Sequence, residues 1–277
     1  VRDDDEALAV RLARDAGTLL VELRSSWTGS SEALGRRGDL AANEVILAGL
    51  GSARPGDAVL SEESVDDLRR LGADRVWIVD PLDGTREYVQ RERHDWAVHV
   101  ALWERRTGGL GAAAVALPAL GVTYSTRGRH PEKSSPARPA VDWRDGEVAR
   151  AWPGDGELRL VVSESRPPPW LGSFVEALAV PVRVTTMGSA GAKAMTVVEG
   201  EADAYLHAGG QYEWDSAAPV GVARAAGLHC SRLWGAALEY NQDPPYLPDL
   251  LVCRPELAAP LLAAVADTVP EPQGAQR

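Results

Sequence analysis

The chain has 277 residues, 45% of them hydrophobic, with 40 acidic against 29 basic side chains and a net charge of −11. This length suits one large domain or two medium ones, and the composition is that of an ordinary soluble globular protein. The negative balance argues against sequence-independent binding to a nucleic acid polymer, and the apolar runs fall short of the roughly 18 residues a membrane span needs.

The opening VRDDDEALAV lacks the basic-then-apolar order of a signal peptide. Cys230 and Cys253 have neither CxxC nor zinc spacing, and read as small buried hydrophobes. A cytoplasmic protein is expected, without a membrane partner.

In chain order, Leu8, Leu12, Ala16, Leu19 and Leu23 recur at helical spacing and predict a first helix. Leu40, Asn43, Leu47 and Leu50 predict a second over about residues 40–50, closed by Gly51 and Pro55. Strands are expected at AVL before Ser61, RVWIV before Asp80 and WAVHVALW from Trp96. In the last, Trp96, Val98, Val100 and Leu102 alternate with Ala97, His99 and Ala101. Residues 126–156 are rich in Pro, Gly and charge and read as a long surface loop. That loop divides an N-terminal α+β part, 1–155, from a C-terminal α/β part, 156–277. In the second part strands LRLVVS, VRVTT and LLVC are interspersed with helices WLGSFVEALAV, AKAMTVVEG, SAAPVGVARAAG and ELAAPLLAAVADTV.

The stretch RVWIVDPLDGTREY carries the chemistry. An apolar strand ends in Asp80, and open sheets place ligands at such ends. Asp83 follows in the turn, Gly84 lets a backbone come close, and Thr85 opens a helix whose N–H groups suit a phosphate. Glu62 stands just after a strand, Asp39 precedes the second predicted helix, and Asp215 begins another. Acids from separate segments are what a two-metal site for phosphate displacement requires, and Mg²⁺ prefers such oxygen ligands. D-P-x-D-G is equally a good turn formula, and Asp39 and Asp215 also fit plain helix caps. His94, His99, His130 and His229 show no metal-ligand spacing, and His94 and His99, five apart, would face opposite sides of a regular strand.

The ordered set EES, WIVDPLDGT, GSAGAKAMTVVEGEADAYLHAGG and WDSAA resembles the magnesium-dependent, lithium-sensitive inositol monophosphatase superfamily, over about residues 5–265. Within it the chain looks most like the CysQ-type branch, the 3′(2′),5′-bisphosphate nucleotidases of actinobacterial type. The resemblance implies a layered α/β/α/β/α sugar-phosphatase sandwich, and two or three Mg²⁺ ions. It implies metal ligation by Glu62, Asp80, the Leu82 carbonyl, Asp83 and Asp215. It also implies that Asp39 and Thr85 activate water and that Gly84 and Thr85 hold phosphate. In the nucleotidase branch the stretches matching VVSESR and MGSAGAK bind nucleotide, which puts Ser163, Arg166, Ser189 and Lys193 at the substrate. An aromatic at Tyr212 or Trp214 would flank an adenine, although Trp214 also suits packed core. Several relatives have histidine where this chain has Arg166.

Many relatives carry Thr three residues before the acid matching Asp39, where this chain has Arg36. Gly35 and Gly38 favour a mobile loop there, and Arg36 and Arg37 would attract a doubly charged ester or lie in solvent. The implied reaction converts 3′-phosphoadenosine 5′-phosphate to AMP and phosphate by metal-activated water, with a link to sulfate assimilation. An inositol-1-phosphate or fructose-1,6-bisphosphate phosphatase is the alternative. A nucleophilic-aspartate phosphatase and a non-catalytic metal and nucleotide sensor are more distant ones. Relatives are often homodimers.

Overall fold

The computed structural model describes residues 3–131, 141–142 and 156–269. Two long helices come first, α1 (Asp3–Ser26) and α2 (Ser31–Ala53). Of the expected first-helix stripe Leu8, Leu12 and Ala16 are buried, Leu19 and Leu23 are half-buried, and Leu20 takes the next buried place. The second helix starts well before Leu40, because the Ser30 hydroxyl accepts the Ala33 N–H at 3.3 Å and caps it. The GRRGD stretch therefore lies inside a helix and is not the mobile loop expected. Gly35 and Gly38 serve close packing instead. A Cβ there would meet Thr85 Cγ2 and Tyr88 Cε1, each at 2.9 Å.

A seven-stranded sheet runs in chain order. Its strands are β1 (Ala58–Ser61), β2 (Arg75–Asp83), β3 (Ala97–Glu104), β4 (Gly109–Leu117), β5 (Val122–Ser125), β6 (Gly128–Pro131) and β7 (Val141–Asp142). Only β1 and β2 pair in parallel; the other neighbours are antiparallel. Between β2 and β3 lies the single turn α3 (Thr85–Tyr88). The surface loop expected over 126–156 thus contributes β6, hydrogen-bonded to β5, and β7; residues 132–140 and 143–155 of it lie outside the described residues.

The second sheet has the order β11-β12-β10-β8-β9. These are β8 (Leu158–Ser163), β9 (Val182–Met187), β10 (Ala204–Ala208), β11 (His229–Ser231) and β12 (Asp249–Cys253). The helices of this half are α4 (Leu171–Ala177), α5 (Ala190–Val198), α6 (Glu213–Ala225) and α7 (Ala258–Thr268).

Alternation along the strands builds five layers. Trp77, Val79, Val98, Val100 and Leu102 pack with Leu8, Leu12, Leu20 and Ile46 of α1 and α2. The opposite face, with Val76, Ile78, Ala101 and Val115, shares a core with Met195, Val197, Val220 and Val222 of α5 and α6. That core also includes Val161, Tyr205, Leu250 and Val252 of the second sheet. The far face of the second sheet, Leu160, Leu206 and Leu251, packs with Phe174, Leu261 and Val265 of α4 and α7. The result is an α/β/α/β/α sandwich. Strand β4 lies between α1 and α6, and its alanines let both come close: a Cβ on Gly221 of α6 would reach Ala113 Cβ at 2.7 Å. Cys253 is buried in the outer core, Cys230 is half-buried against the inner one, and both are free thiols. Among the described residues no helix is long and apolar enough to cross a membrane.

Candidate active site

In a regular strand, residues three apart point to opposite faces, so Asp80 and Asp83 should diverge. They do not, because β2 bulges between them. Asp80 pairs with His99 and Asp83 with Ala97, so three steps on β2 match two on β3. Both carboxylates then face the α5–α6 layer. Pro81 and Leu82 fill the bulge, and the Leu82 N–H donates to Asp80 Oδ1 at 3.1 Å. Gly84 follows with φ 89°, a left-handed conformation suited to glycine, and reverses the chain into α3.

Asp215 arrives from the first turn of α6. One of its oxygens accepts the Tyr212 N–H at 2.7 Å, so it does cap the helix. Capping does not remove it from the cluster: oxygens of Asp80, Asp83 and Asp215 all lie within 4.8 Å of one another. Glu62 follows β1, where its N–H extends the pairing by donating to the Val79 carbonyl at 3.3 Å. Its side chain is solvent-exposed at the rim, yet it hydrogen-bonds Asp80.

Asp83 apart, the acids of this group are driven up by burial and by one another. Burial, then the charges of Glu62, Asp83 and Asp215, push Asp80 well above the usual carboxylate range. Desolvation of its carboxyl group by burial and then the Asp215 charge raise Glu62 to about 8, and burial and then the Asp83 charge raise Asp215 to about 6. Two carboxyl groups sharing a hydrogen bond without a cation between them are what such a site looks like when protons substitute for metal. The donor set is all oxygen, hard and strongly negative, and it fits Mg²⁺.

Asp83 behaves differently. Burial would raise it, but His99 and Lys193 outweigh burial and hold it low. Its Oδ2 accepts the Ser189 hydroxyl at 2.5 Å and the Gly191 N–H at 2.8 Å, and lies 3.3 Å from His99 Nε2. His99 is fully buried, and its Nδ1 meets the Trp214 carbonyl at 3.1 Å. A carbonyl only accepts, so Nδ1 carries the hydrogen. Sequence spacing did not single out His99. The strand pairing does: residues opposite each other share a face, and His99 stands opposite Asp80. Gly191 makes room for it, since a Cβ there would run into His99 Nε2.

Asp39 lies in mid-helix on α2, not at an end, so it is not a helix cap. The Thr85 hydroxyl meets Asp39 Oδ1 at 3.2 Å and the Leu82 carbonyl at 3.3 Å. Burial and then the charge of Glu63 raise Asp39 to about 6, against the opposing hydrogen bond from Thr85. This pair lies between the bulge and α2.

The residues expected at the substrate separate into two kinds. Ser189 caps α5 and braces Asp83. The Ser163 hydroxyl accepts the Arg166 N–H at 3.2 Å and shapes the loop after β8. Lys193 is only 2% exposed, and its ammonium donates to the carbonyls of Gly188 at 2.5 Å and Ser189 at 2.9 Å. It braces the Gly-rich turn from inside. Arg166 is exposed, and its guanidinium rests on the Gly210 carbonyl. Beyond it Tyr212 and Trp214 stack at 4.8 Å and 7°, with Tyr246 edge-on to Tyr212. Tyr212 and Tyr246 are exposed, and Trp214 is half-buried.

The sequence matches the inositol monophosphatase family over residues 3–270. It is 52% identical, over 91% of this chain and 90% of the relative, to the 3′-phosphoadenosine 5′-phosphate phosphatase of Mycobacterium tuberculosis. It is 50% identical, over 95% of this chain and 94% of the relative, to the phosphatase of the same name from Mycobacterium leprae. The crystal structure of CysQ from Bacteroides thetaiotaomicron superposes with a TM-score of 0.75 at 26% identity, covering 91% of this chain and 97% of that one. With the match spanning both sheets, residues 3–270, the chain belongs to the inositol monophosphatase family.

Proposed function

We propose that the protein is a Mg²⁺-dependent phosphomonoesterase that converts 3′-phosphoadenosine 5′-phosphate to AMP and phosphate. The observation that carries this reading is identity of at least 50% over more than nine-tenths of the chain to phosphatases named for that substrate. The acid cluster supports it, because it has the ligand chemistry such an enzyme needs.

In this reading Glu62, Asp80, the Leu82 carbonyl, Asp83 and Asp215 hold the metal. Bound Mg²⁺ supplies positive charge to the ester and makes a water molecule a stronger acid. The chain's own work is positioning. Asp83 is fixed by Ser189, Gly191 and His99, so one ligand is already oriented before metal arrives. Asp39 and Thr85 take the attacking water, with Asp39 raised to about 6 and thus able to accept a proton near neutral pH. Backbone N–H groups at Gly84 and Thr85 receive phosphate oxygens. Exposed Arg166 is the cation available to a second phosphate. The Tyr212, Trp214 and Tyr246 group offers aromatic surface for a base.

Phosphate release from 3′-phosphoadenosine 5′-phosphate, inositol-1-phosphate and fructose-1,6-bisphosphate tests the assignment. The nucleotide should give the highest kcat/KM by at least about tenfold, the factor for 1.4 kcal/mol of discrimination. Faster turnover of either sugar ester would overturn the substrate and leave the metal chemistry standing.

A further inference from the structure

Glu62 and Asp215 belong to different halves of the sandwich, and in the proposed reading both have to reach the same metal cluster around Asp80. The segment that carries Glu62 runs from β1 to β2 with little regular structure, over residues 62–74. Such a segment would leave Glu62 loosely placed unless something ties it down.

It is tied at both ends by asparagines. Near Glu62, Asn43 of α2 accepts the Ser61 hydroxyl at 2.8 Å and donates to Ser64 Oγ at 3.2 Å. At the far end Arg70, only 1% exposed, leaves its own half of the molecule. Its Nη1 donates to Asn241 Oδ1 at 2.8 Å and its Nη2 to the Gln242 carbonyl at 2.8 Å. Asn241 answers by donating from Nδ2 to the Arg70 carbonyl at 3.1 Å. The guanidinium also holds Asp66 on the same segment, at 3.0 and 2.7 Å.

The chain of bonds continues to the other metal ligand. Glu213, two residues before Asp215, is 1% exposed, and its two oxygens accept the N–H groups of Asn241 and Gln242, each at 2.7 Å. The Glu213 N–H in turn donates to the Pro245 carbonyl at 3.0 Å. Asn241 adopts φ 64°, a left-handed conformation held here by three hydrogen bonds. We propose that Arg70, Asn241 and Glu213 are positioning residues: a buried bridge that sets the separation between the Glu62 segment and Asp215, and through it the affinity for metal.

Every member is buried and satisfied by another member, so the bridge has defined lengths at each joint. None of the three reaches the reacting atoms. Each acts only through a ligand that another part of the chain supplies. The inference rests on the metal reading of the site and is independent of which ester is hydrolysed.

The test is Mn²⁺ binding to the metal-stripped full-length protein by calorimetry, paired with Mg²⁺ titrations of activity. Asn241→Ala and Arg70→Lys should each weaken Mn²⁺ by about tenfold, the lower end of what support of metal ligands is worth. High Mg²⁺ should restore most of the lost kcat. Lysine cannot reproduce the two-pronged contact to Asn241 and Gln242, and it folds where a truncation would not. Arg159→Ala is the comparison: it breaks the pair with Asp203 between β8 and the start of β10 and should lower the melting temperature without moving metal affinity. Asp215→Asn is the reference. If it leaves Mn²⁺ binding intact, the metal reading falls. If it weakens binding while both bridge variants bind as the parent does, the bridge alone falls. Equal weakening by Arg159→Ala would reduce the effect to general stability and overturn the proposal too.

Discussion

Two groups of buried charges in this molecule have opposite characters. Asp203, 1% exposed, accepts from Arg159 Nη2 at 2.7 Å and Nε at 2.9 Å, and from Arg254 Nε at 2.9 Å. Burial would raise it, but the arginines hold it below the usual carboxylate range. Asp80, also 1% exposed, has acids as its charged neighbours at closest range and is driven the other way. Burial is the same and compensation is not. The first cluster is complete as it stands and fastens β8, β10 and β12 together. The second is complete only with a cation that the chain does not supply. In the proposed reading, what marks the metal site is the lack of a cation beside Asp80, more than the number of carboxylates.

Neutralising one acid in each cluster should split this contrast most sharply. Asp80→Asn should reduce kcat/KM by at least on the order of 10²–10³-fold, as loss of a preorganised charge does. The same variant, stripped of metal, should melt higher than the parent, by about 2–4 °C for each kcal/mol of repulsion removed. Asp203→Asn should instead destabilise by about 3–5 kcal/mol, since it strands buried Arg254. Turnover per folded molecule should be unchanged. Activity assays and thermal melts on both variants check this, and a metal-free Asp80→Asn protein that melts lower than the parent would contradict the repulsion argument.

A smaller effect appears as pH varies. Glu62 is raised to about 8, and Asp39 and Asp215 to about 6, so the folded metal-free chain binds more protons than the unfolded one above the ordinary carboxylate range. Stability then falls as pH rises from about 4.5 to about 8. Mg²⁺ replaces the protons, so its stabilising effect should grow over the same window. Asp203 is depressed, and its contribution is lost only as pH falls below about 4. Melting temperatures with and without Mg²⁺ at about pH 5 and about pH 8 decide the matter. A metal benefit that does not change with pH would remove the case for protonated acids at the site.

The sequence made Asp80, Asp83, Glu62 and Asp215 legible as candidate ligands because each follows or opens a stretch with a clear strand or helix pattern, although β2 runs on to Asp83 and keeps Asp80 buried. It could not show that Asp80 and Asp83 share a face, since that depends on a bulge set by pairing with β3. His99 was missed for the same reason: its role comes from the residue opposite it and not from spacing. Strand β4, Gly109–Leu117, was not anticipated because its alanines are weak strand formers. They are alanines because helices press on both faces. Lys193 reads from the sequence as a substrate cation, and in the structure its ammonium donates to the Gly188 and Ser189 carbonyls, a use of a charge at a turn that spacing does not reveal.

Helix α2 shows the same lesson at its smallest scale, between neighbours. Gly35 is buried against Thr85, and a methyl group there would sit 2.9 Å from Thr85 Cγ2. Gly35→Ala should therefore displace the Thr85 hydroxyl from Asp39 and lower kcat by roughly 10-fold to 100-fold, as small misplacements at a reacting centre do. Arg36, one residue on, points outward and pairs with Glu32 one turn earlier. Exposed pairs of this spacing contribute about 0.3–0.5 kcal/mol. Arg36→Ala should cost no more than that, and should change kcat/KM for a bisphosphate by less than about twofold, since a solvated charge in physiological salt steers weakly. Steady-state kinetics at low and high ionic strength read both variants. A large, salt-dependent loss in Arg36→Ala would instead make that arginine a guide for the substrate, and would move the specificity of the site onto α2.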